Sequence, residues 1–435
     1  MKLTFYLSLL AFSFAITQST FGVSVGPRIG PTTAPDTLDV EQEEEFFKTK
    51  MNIPDLRLAI PVLDPGIPES TQTQQEQGIW PELRKAEAVR SAFKLKQWIH
   101  RYNQFDSIVI AADTSVSADI YLIGRIVESD SETMRIAYKV VDARGVAWTE
   151  ERTKKHRVEV GWHERYGNTD QDPFDKLYNE IAEDVYEELK ERGKAHVDRL
   201  EQNEKLGPEK ARYSELQRIT TTRDLAFARF VSPEYNDYLE VQGSHWDIQI
   251  APDEESESWR RIQTIMYRED EFAQVIEDHY EGFRSQIEED YEKWQEDTFP
   301  VAREVRLAKR GRTIKAIVGV ALVAASVAAA EDGAAKDGDR SAENAVAAGA
   351  LGGGALIAAA FRDNHLHKQA VEEINELSRS LHNSIRPTRI DLNGKIVTLT
   401  GTVQDQFGQW RSMLADIYAQ SQDSDAVTIL TEEDN

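Results

Sequence analysis

Residues 118–141 read ADIYLIGRIVESDSETMRIAYKVV, and this stretch decides the predicted fold. Residues 118–128 and 133–141 are apolar or alternate apolar with polar side chains, a pattern typical of β-strands. The four polar residues between them, 129–132, predict a hairpin turn. Gly124 lies inside the first strand, where a glycine indicates a bulge or a close backbone approach.

Further elements precede and follow this hairpin. Residues 56–63 (LRLAIPVL) and 106–112 are short apolar runs of strand length. Between them, residues 81–102 carry apolar side chains at three- and four-residue steps, which predicts a helix. The order β-α-β-β-β indicates an α/β sandwich. Residues 142–145 (DARG) have turn composition, and Trp148 is expected to pack on the sheet.

Three segments of this region resemble one family. Residues 57–64 (RLAIPVLD) look like the first strand of the TolB amino-terminal and curli-pore-subunit group of envelope proteins. Residues 118–126 (ADIYLIGRI) resemble that group's "aDyll.G.i" strand, and residues 141–148 (VDARGVAW) resemble its "vDa.tG..lW" ending. The resemblance covers about residues 55–165 and implies a periplasmic α/β domain for assembly and protein contacts, without catalytic residues. The lipidated cysteine typical of the pore-forming members is missing here.

Composition excludes several classes of protein. The 435 residues include 51 bases and 76 acids, a net charge of −25, and no cysteine. This acidity argues against a nucleic-acid binder, which needs clustered Lys and Arg. The missing cysteine excludes disulfides, thiolate zinc sites, cysteine nucleophiles and attachment through a lipid-modified cysteine.

The N-terminal residues predict export. Residues 1–22 carry one charge, Lys2, followed by an apolar stretch over 3–16 and small or polar residues. This is the pattern of a secretory signal peptide, with an uncleaved anchor as the alternative. Residues 23–54 contain Pro and Gly at close intervals and predict a linker. We therefore expect a periplasmic, envelope-associated protein.

Residues 170–300 predict an acidic helical region. Apolar side chains recur at helical steps over 174–189, 209–230 and 258–299. Residues 231–300 hold 20 acids and 5 bases, a net of −15, with interleaved aromatic residues that a disordered acidic tail lacks. Calcium or magnesium binding near residues 253–255 is not favoured, because no calcium-loop pattern is present. No carboxylate pair stands out for acid–base catalysis, and we interpret the acids as a solvated face.

Residues 301–361 reverse this composition. A basic segment precedes two uncharged Ala-rich runs, 316–330 and 345–361, which are separated by a polar loop. We expect bases beside these runs to meet lipid headgroups. Glycines within the second run have the spacing of membrane helix contacts and resemble glycine-zipper segments. The predicted oligomer-contact residues are Gly349, Gly353 and Gly354, and the predicted membrane-surface residues are Arg303, Arg306, Lys309, Arg310, Arg312, Lys315 and Arg362.

Three interpretations of this hairpin remain open. It inserts into a membrane as transmembrane helices, packs as a soluble helical hairpin inside an oligomer, or forms a flexible linker. For an exported chain the basic flanks oppose the positive-inside preference. Insertion from the periplasmic side or packing in an oligomer therefore fits better than simple inner-membrane insertion.

Residues 364–432 predict a small C-terminal domain. Residues 367–385 and 407–419 have helical periodicity, and residues 388–392, 396–403 and 426–430 have strand composition. Asn393-Gly394 is a strong hairpin signal. This α-β-β-α-β order, with GKIVTLTGTV at 394–403, resembles the BON (bacterial OsmY and nodulation) module, which implies membrane or protein attachment. We interpret His365 and His367 as interfacial imidazoles, because no zinc-type spacing accompanies them.

Catalytic and nucleotide-binding motifs are missing. The sequence has no G-x-S-x-G, H-E-x-x-H, Walker or G-x-G-x-x-G motif, so we predict neither an enzyme nor a cofactor. We predict an α+β multidomain, exported envelope protein of Gram-negative type that oligomerises and attaches to the periplasmic side of a membrane. Its expected partners are membrane lipid and envelope or secretion subunits, with no nucleic acid. The alternative is a soluble periplasmic chaperone or ligand-binding protein whose acidic helices recognise basic clients.

Overall fold

The predicted hairpin lies in the middle of a five-stranded mixed sheet. Its strands are β1 (Arg57–Pro61), β2 (Ser107–Ala111), β3 (Ile120–Ser129), β4 (Thr133–Asp142) and β5 (Arg152–Arg157). The order across the sheet is β2-β1-β3-β4-β5. β1 is parallel to β2 and β3, whereas β3–β4 and β4–β5 are antiparallel. The α+β class predicted from the sequence is confirmed.

The computed structural model describes residues 48–167, 169, 171–207, 212–309, 374–379, 388–392 and 395–432. All of them belong to one compact unit that spans Phe46–Asn435. Their helices are α1 (Thr71–Gln77), α2 (Pro81–Arg101), α3 (Trp162–Tyr166), α4 (Asp175–Leu206), α5 (Glu215–Val231), α6 (Glu257–Lys309) and α7 (Val403–Glu432).

The turn predicted after β4 is confirmed, whereas Gly124 is explained by the close approach of a side chain, and the bulge of β3 lies further along the strand. A Cβ atom on Gly124 would lie 2.8 Å from the side chain of Leu63, so the glycine permits a close approach. The β3–β4 register shifts between Ile126 and Glu128, which is a β-bulge. Gly145 has φ of +83° and donates its backbone N–H to the Asp142 carbonyl over 2.8 Å, closing the predicted turn.

Strand β5 was missed by the sequence analysis because five of its six residues, RTKKHR, are basic or histidine rather than apolar. It forms the sheet edge beside β4, where charged side chains discourage edge-to-edge association. Helix α4 supplies acids to these bases: Arg152 donates to Glu188 over 2.8 Å and Lys154 to Asp184 over 3.2 Å. Ion pairs with α4 therefore stabilise β5 in the sheet, although its sequence does not alternate apolar and polar residues.

The helices cover the sheet through apolar faces. Helix α2 has the bounds predicted for it to within one residue and packs on β1, β2 and β3. Helix α4 packs against α2 and β5. Helix α5 begins at residue 215 rather than near 209, because Ser214 and Gln217 form a capping box at its start. The buried core continues without interruption from the sheet into these helices and α6.

Helix α6 contains 53 residues, which corresponds to about 80 Å at 1.5 Å per residue. It continues through Pro300, where the sequence predicted an end, and therefore crosses the predicted region boundary at residue 300. Ala302 and Val305, beyond the proline, are buried. Burial of this last part of the helix compensates for the hydrogen bond that proline removes.

The acidic region also contains a short hairpin that the sequence analysis did not predict. β6 (Leu239–Gln242) pairs with β7 (His245–Ile248) in an antiparallel two-stranded sheet. The region predicted as helical is therefore divided by a β-hairpin between α5 and α6.

The C-terminal prediction is partly wrong. β8 (Thr388–Leu392) and β9 (Lys395–Leu399) pair as predicted, with the turn residues Asn393 and Gly394 outside the described part of the chain. β9 ends before 403 because Gly401 has φ of +101° and Thr402 exchanges capping hydrogen bonds with Asp405.

The predicted final strand, 426–430, lies instead within helix α7. No Gly or Pro stands between residues 419 and 426 to end the helix. The order α-β-β-α-β is therefore not observed. Of the predicted helix 367–385, the described residues 374–379 are helical.

Candidate functional site

A cleft of about 540 Å³ lies where four segments of the chain meet. These are the start of α2, the β3–β4 turn, the edge strand β5 and the last part of α6. We call it the α2–α6 cleft and define it by Arg84, Ser131, Arg157, Trp294 and Thr298. Its volume is in the range of small-molecule sites.

Helix α2 positions Arg84 at the base of the α2–α6 cleft. Trp80 is the N-cap and Pro81 begins the helix, which places Arg84 in its first turn. Arg84 Nη2 donates to the Ser129 carbonyl over 3.1 Å, and its Nε lies 3.2 Å from Glu87 Oε2. The guanidinium is thus buried and held between the helix and the end of β3.

The β3–β4 turn is organised by Asp130. Its Oδ1 accepts the backbone N–H of Glu132 over 2.8 Å and that of Thr133 over 2.6 Å. Burial raises the pKa of Asp130 to about 6, although these two hydrogen bonds act in the opposite direction. The same turn places Ser131, whose side chain is buried, at the cleft wall.

Strand β5 contributes two bases. Lys155 Nζ donates to Glu128 Oε2 over 2.9 Å. The Arg157 side chain is exposed at the rim and has no ion-pair or hydrogen-bond partner within the described ranges. Because β5 is an edge strand, its side chains reach the cleft without an intervening strand.

Helix α6 closes the opposite side. Trp294 and Thr298 are one helical turn apart, and both side chains are buried in the cleft wall. Two turns further on, Arg306 Nε lies 2.6 Å from Oε2 of the buried Glu132, which ties the end of α6 to the β3–β4 turn.

A buried ionic network fixes α6 beside α2. Arg90 Nη2 lies 2.5 Å from Asp172 Oδ2 and 2.8 Å from Glu288 Oε1. Burial opposes ionisation of Asp172, but Arg90, Lys94 and the hydrogen bonds to the carboxylate together outweigh it and lower the pKa of the carboxyl below its ordinary value. Tyr291 Oη donates to Glu87 Oε1 over 3.1 Å. These contacts position the cleft walls relative to each other.

The polar atoms of the cleft divide by chemistry. Five buried side-chain atoms of the cleft lining have no hydrogen-bond partner among the described residues, and every one is able to donate. Arg135 Nε lies 3.5 Å from Glu128 Oε2 as an ion pair. The other four are without an ion pair as well: Arg84 Nη1, Ser131 Oγ, Trp294 Nε1 and Thr298 Oγ1. The lining carboxylates, in contrast, already accept hydrogen bonds or ion pairs: Glu87, Glu128 and Asp130. The cleft is therefore suited to a group that accepts hydrogen bonds.

The structure describes few of the residues predicted to act. Arg303, Arg306 and Lys309 lie on α6, and Arg306 has the intramolecular partner Glu132. The remaining predicted residues are outside the described part of the chain: Arg310, Arg312, Lys315, Gly349, Gly353, Gly354, Arg362, His365 and His367. Membrane contact and oligomer contact stay predictions for these residues.

Two further observations concern the predicted middle region and membrane segment. Residues 253–255 form a turn before α6, in which Asp253 Oδ1 accepts the Glu255 N–H. Within the described ranges no three metal-ligating side chains cluster. The helices of those same ranges are too short or too polar to span a bilayer.

The α2–α6 cleft was not predicted from the sequence, because its residues come from four separated segments. The basic run of β5 was the available signal, and it lacked a strand pattern. No family model matches the chain, and no curated protein matches it.

Proposed function

We propose that this is a non-enzymatic, exported envelope protein that attaches to the periplasmic side of a membrane as a subunit of an envelope or secretion assembly. Its proposed parts are an α/β sandwich domain, an acidic helical region and an apolar hairpin over residues 301–361. The observation that carries this proposal is the continuity of α6. One helix packs along the sheet domain and includes the first bases of the segment before the hairpin, Arg303, Arg306 and Lys309.

The last turns of α6 support a mechanical role. Ala302 and Val305 are buried, and Arg306 pairs with Glu132. The chain is thereby attached to the sheet domain up to Arg306, ten residues before the first apolar run. Three bases follow in sequence, Arg310, Arg312 and Lys315, which suit an anionic surface.

The family resemblance also supports the proposal. The segments that carry it include the buried strand β1, strand β3 and the turn that ends at the buried Trp148. An assembly role fits a fold whose described clefts hold no recognised catalytic motif.

The chaperone alternative is favoured less. Several acids of α6 are engaged within the molecule: Glu288 with Arg90, Glu277 with Lys96, Asp270 with Arg57 and Glu269 with Arg411. Acids that already hold the helix against its neighbours are not available to basic clients.

Cell fractionation tests the proposed attachment. We expect the full chain to stay with the envelope after osmotic shock and to require detergent for release. Leu322→Glu with Ile357→Glu places one charge in each apolar run and should release the protein without detergent. The matched control is Val160→Glu with Val241→Glu, since both valines are more than half exposed. Release of the unaltered chain by osmotic shock would contradict the proposal.

A further inference from the structure

We propose that the α2–α6 cleft binds a small organic anion, with a carboxylate or phosphate head and a short apolar body. This inference is independent of the membrane role, because it rests only on described residues of the sheet domain and α6. Membrane attachment, as proposed above, does not require a ligand in this cleft.

The first argument is the one-sided chemistry of the buried polar atoms. Arg84 and Trp294 are each more than nine-tenths buried and retain an N–H without a partner. The hydroxyls of Ser131 and Thr298 are as deeply buried and have no partner either. Buried polar groups are nearly always hydrogen-bonded, so four in one cleft require an explanation. A ligand oxygen carrying negative charge is the kind of acceptor that these donors lack.

The second argument is local charge. The cleft lining holds five bases, Arg84, Arg135, Lys155, Arg157 and Arg306, against three acids, Glu87, Glu128 and Asp130. This excess of bases occurs in a chain with a net charge of −25. Arg157 at the rim has no partner of opposite charge among the described residues. Arg306 pairs with Glu132, a buried acid behind the lining, so the local excess amounts to one base. An anion compensates this remaining charge at Arg157.

The third argument is the apolar part of the wall. Trp80, Leu83, Val127, Trp294, Ala302 and Val305 line the cleft beside the polar atoms. An inorganic anion leaves this surface without a contact, whereas an alkyl or aryl group buries it. The combination of aromatic walls and a few unpartnered donors is typical of sites for small amphiphilic molecules.

Isothermal titration calorimetry of the full chain with sodium octanoate and octyl phosphate tests the proposal, with 1-octanol and inorganic phosphate as partial probes. We expect both anions to bind, and 1-octanol and phosphate to bind more weakly. A soluble short-chain phosphatidylglycerol serves as a further arm. If this lipid binds more tightly than octyl phosphate, the ligand of the cleft is a lipid headgroup. If octyl phosphate binds more tightly, the ligand is a free organic anion.

Three variants locate the binding. Thr298→Val removes one unpartnered hydroxyl with little change of volume and should weaken octanoate about tenfold, the loss typical of a hydrogen bond to a charged group. Trp294→Phe removes an N–H and keeps an aromatic ring, so it should also weaken octanoate binding. Arg157→Gln changes an exposed side chain, so it should weaken binding without affecting folding.

The matched control is Thr222→Val. Thr222 on α5 is also fully buried with an unpartnered hydroxyl, but it does not line the cleft. The Thr222→Val variant should bind octanoate with the affinity of the unaltered chain. The thermal unfolding midpoints of Thr222→Val and Thr298→Val should not fall below that of the unaltered chain. Failure of both anions to bind, equal binding of 1-octanol, or equal effects of Thr298→Val and Thr222→Val would overturn the proposal.

Discussion

At the scale of single residues, the buried carboxylate of Asp142 joins a turn to the sheet. Its Oδ1 accepts the Arg144 N–H over 2.9 Å, and its Oδ2 accepts the Trp148 Nε1–H over 3.0 Å and Arg144 Nη2 over 2.6 Å. The guanidinium of Arg192 lies 4.2 Å from the Trp148 ring. The turn composition and the packing of Trp148 were predictable from sequence, and both predictions are confirmed.

We expect Asp142→Ala to lower the free energy of unfolding by about 3 kcal/mol, because it removes the buried acceptor of the Trp148 indole N–H and of Arg144, which keeps only the half-exposed Glu215. Urea unfolding followed by tryptophan fluorescence measures this loss. Asp198→Ala, at an exposed position on α4, is the control and should change stability by less than about 0.5 kcal/mol. Equal stability of the two variants would contradict the role given to Asp142.

The carboxyl of Asp130 predicts a pH dependence. Its pKa in the fold, about 6, exceeds the ordinary 3.8, so the folded state binds this proton more tightly than the unfolded state. Stability from this group is therefore gained as pH falls from 7 toward 4. Asn resembles the protonated form, so Asp130→Asn should be about 1 kcal/mol more stable than the unaltered chain at pH 7.5.

This advantage of Asp130→Asn should decline through pH 6 and vanish below pH 4. Urea unfolding of both proteins across this range measures it, with Asp198→Asn as the exposed control. A difference that stays constant with pH would contradict the raised pKa.

At the scale of elements, α6 protects the sheet edge formed by β2. Glu277 Oε2 accepts the backbone N–H of Ile110 over 2.9 Å, and the same carboxylate pairs with Lys96 of α2. An edge strand with open N–H groups invites association with other chains. A carboxylate from a packed helix occupies this position instead.

Glu277→Ala should lower the free energy of unfolding by about 2 kcal/mol, since it leaves a part-buried N–H and a lysine without their acceptor. Hydrogen exchange should rise first in β2 and in the facing part of α6. Glu271→Ala, exposed on the same helix, is the control. Unchanged exchange in β2 would show that Glu277 does not protect the edge.

Elements with an apolar pattern were predictable, and those that depend on tertiary contacts were not. Strands β1 to β4 and helix α2 follow the hydrophobic periods of their sequences. Strand β5 depends on acids of α4 for its bases, and α6 passes Pro300 because Ala302 and Val305 are buried beyond it. The predicted strand 426–430 was wrong because its apolar run, without a preceding breaker, continues a helix.

At the scale of the whole molecule, some acids of the middle region form ion pairs between elements of the fold. Glu288 and Glu277 of α6 meet Arg90 and Lys96 of α2, rather than forming only the solvated face that the sequence predicted. The α2–α6 cleft arises from the same assembly, because α6 brings Trp294 and Thr298 to a turn more than 160 residues earlier in the chain. No local pattern predicts such a juxtaposition.

The glycine spacing of the proposed hairpin predicts that the hairpin helices contact each other in an oligomer. Gly349→Leu with Gly353→Leu introduces side chains where helix backbones are proposed to approach closely, so the oligomer should become smaller. Analytical ultracentrifugation in detergent measures the mass. The control is Gly282→Leu on α6, which has no atom within 4 Å of the added Cβ and should leave the oligomer mass unchanged. Gly207 is not used as a control position, because its φ of +79° strains any other residue. A sedimentation profile unaffected by the double substitution would contradict the glycine contact.

Vesicle flotation tests the central claim, that the basic segment after α6 attaches the protein to a membrane. The full chain should float with vesicles of phosphatidylethanolamine and phosphatidylglycerol. Replacing Arg310, Arg312 and Lys315 by Gln should weaken binding by about 3 kcal/mol, or roughly a hundredfold, at ~1 kcal/mol per base. Replacing the exposed α4 bases Lys176, Lys194 and Lys205 by Gln gives the same net charge and should leave flotation unchanged. Equal flotation of the two triple variants, or no flotation of the unaltered chain, would contradict the claim.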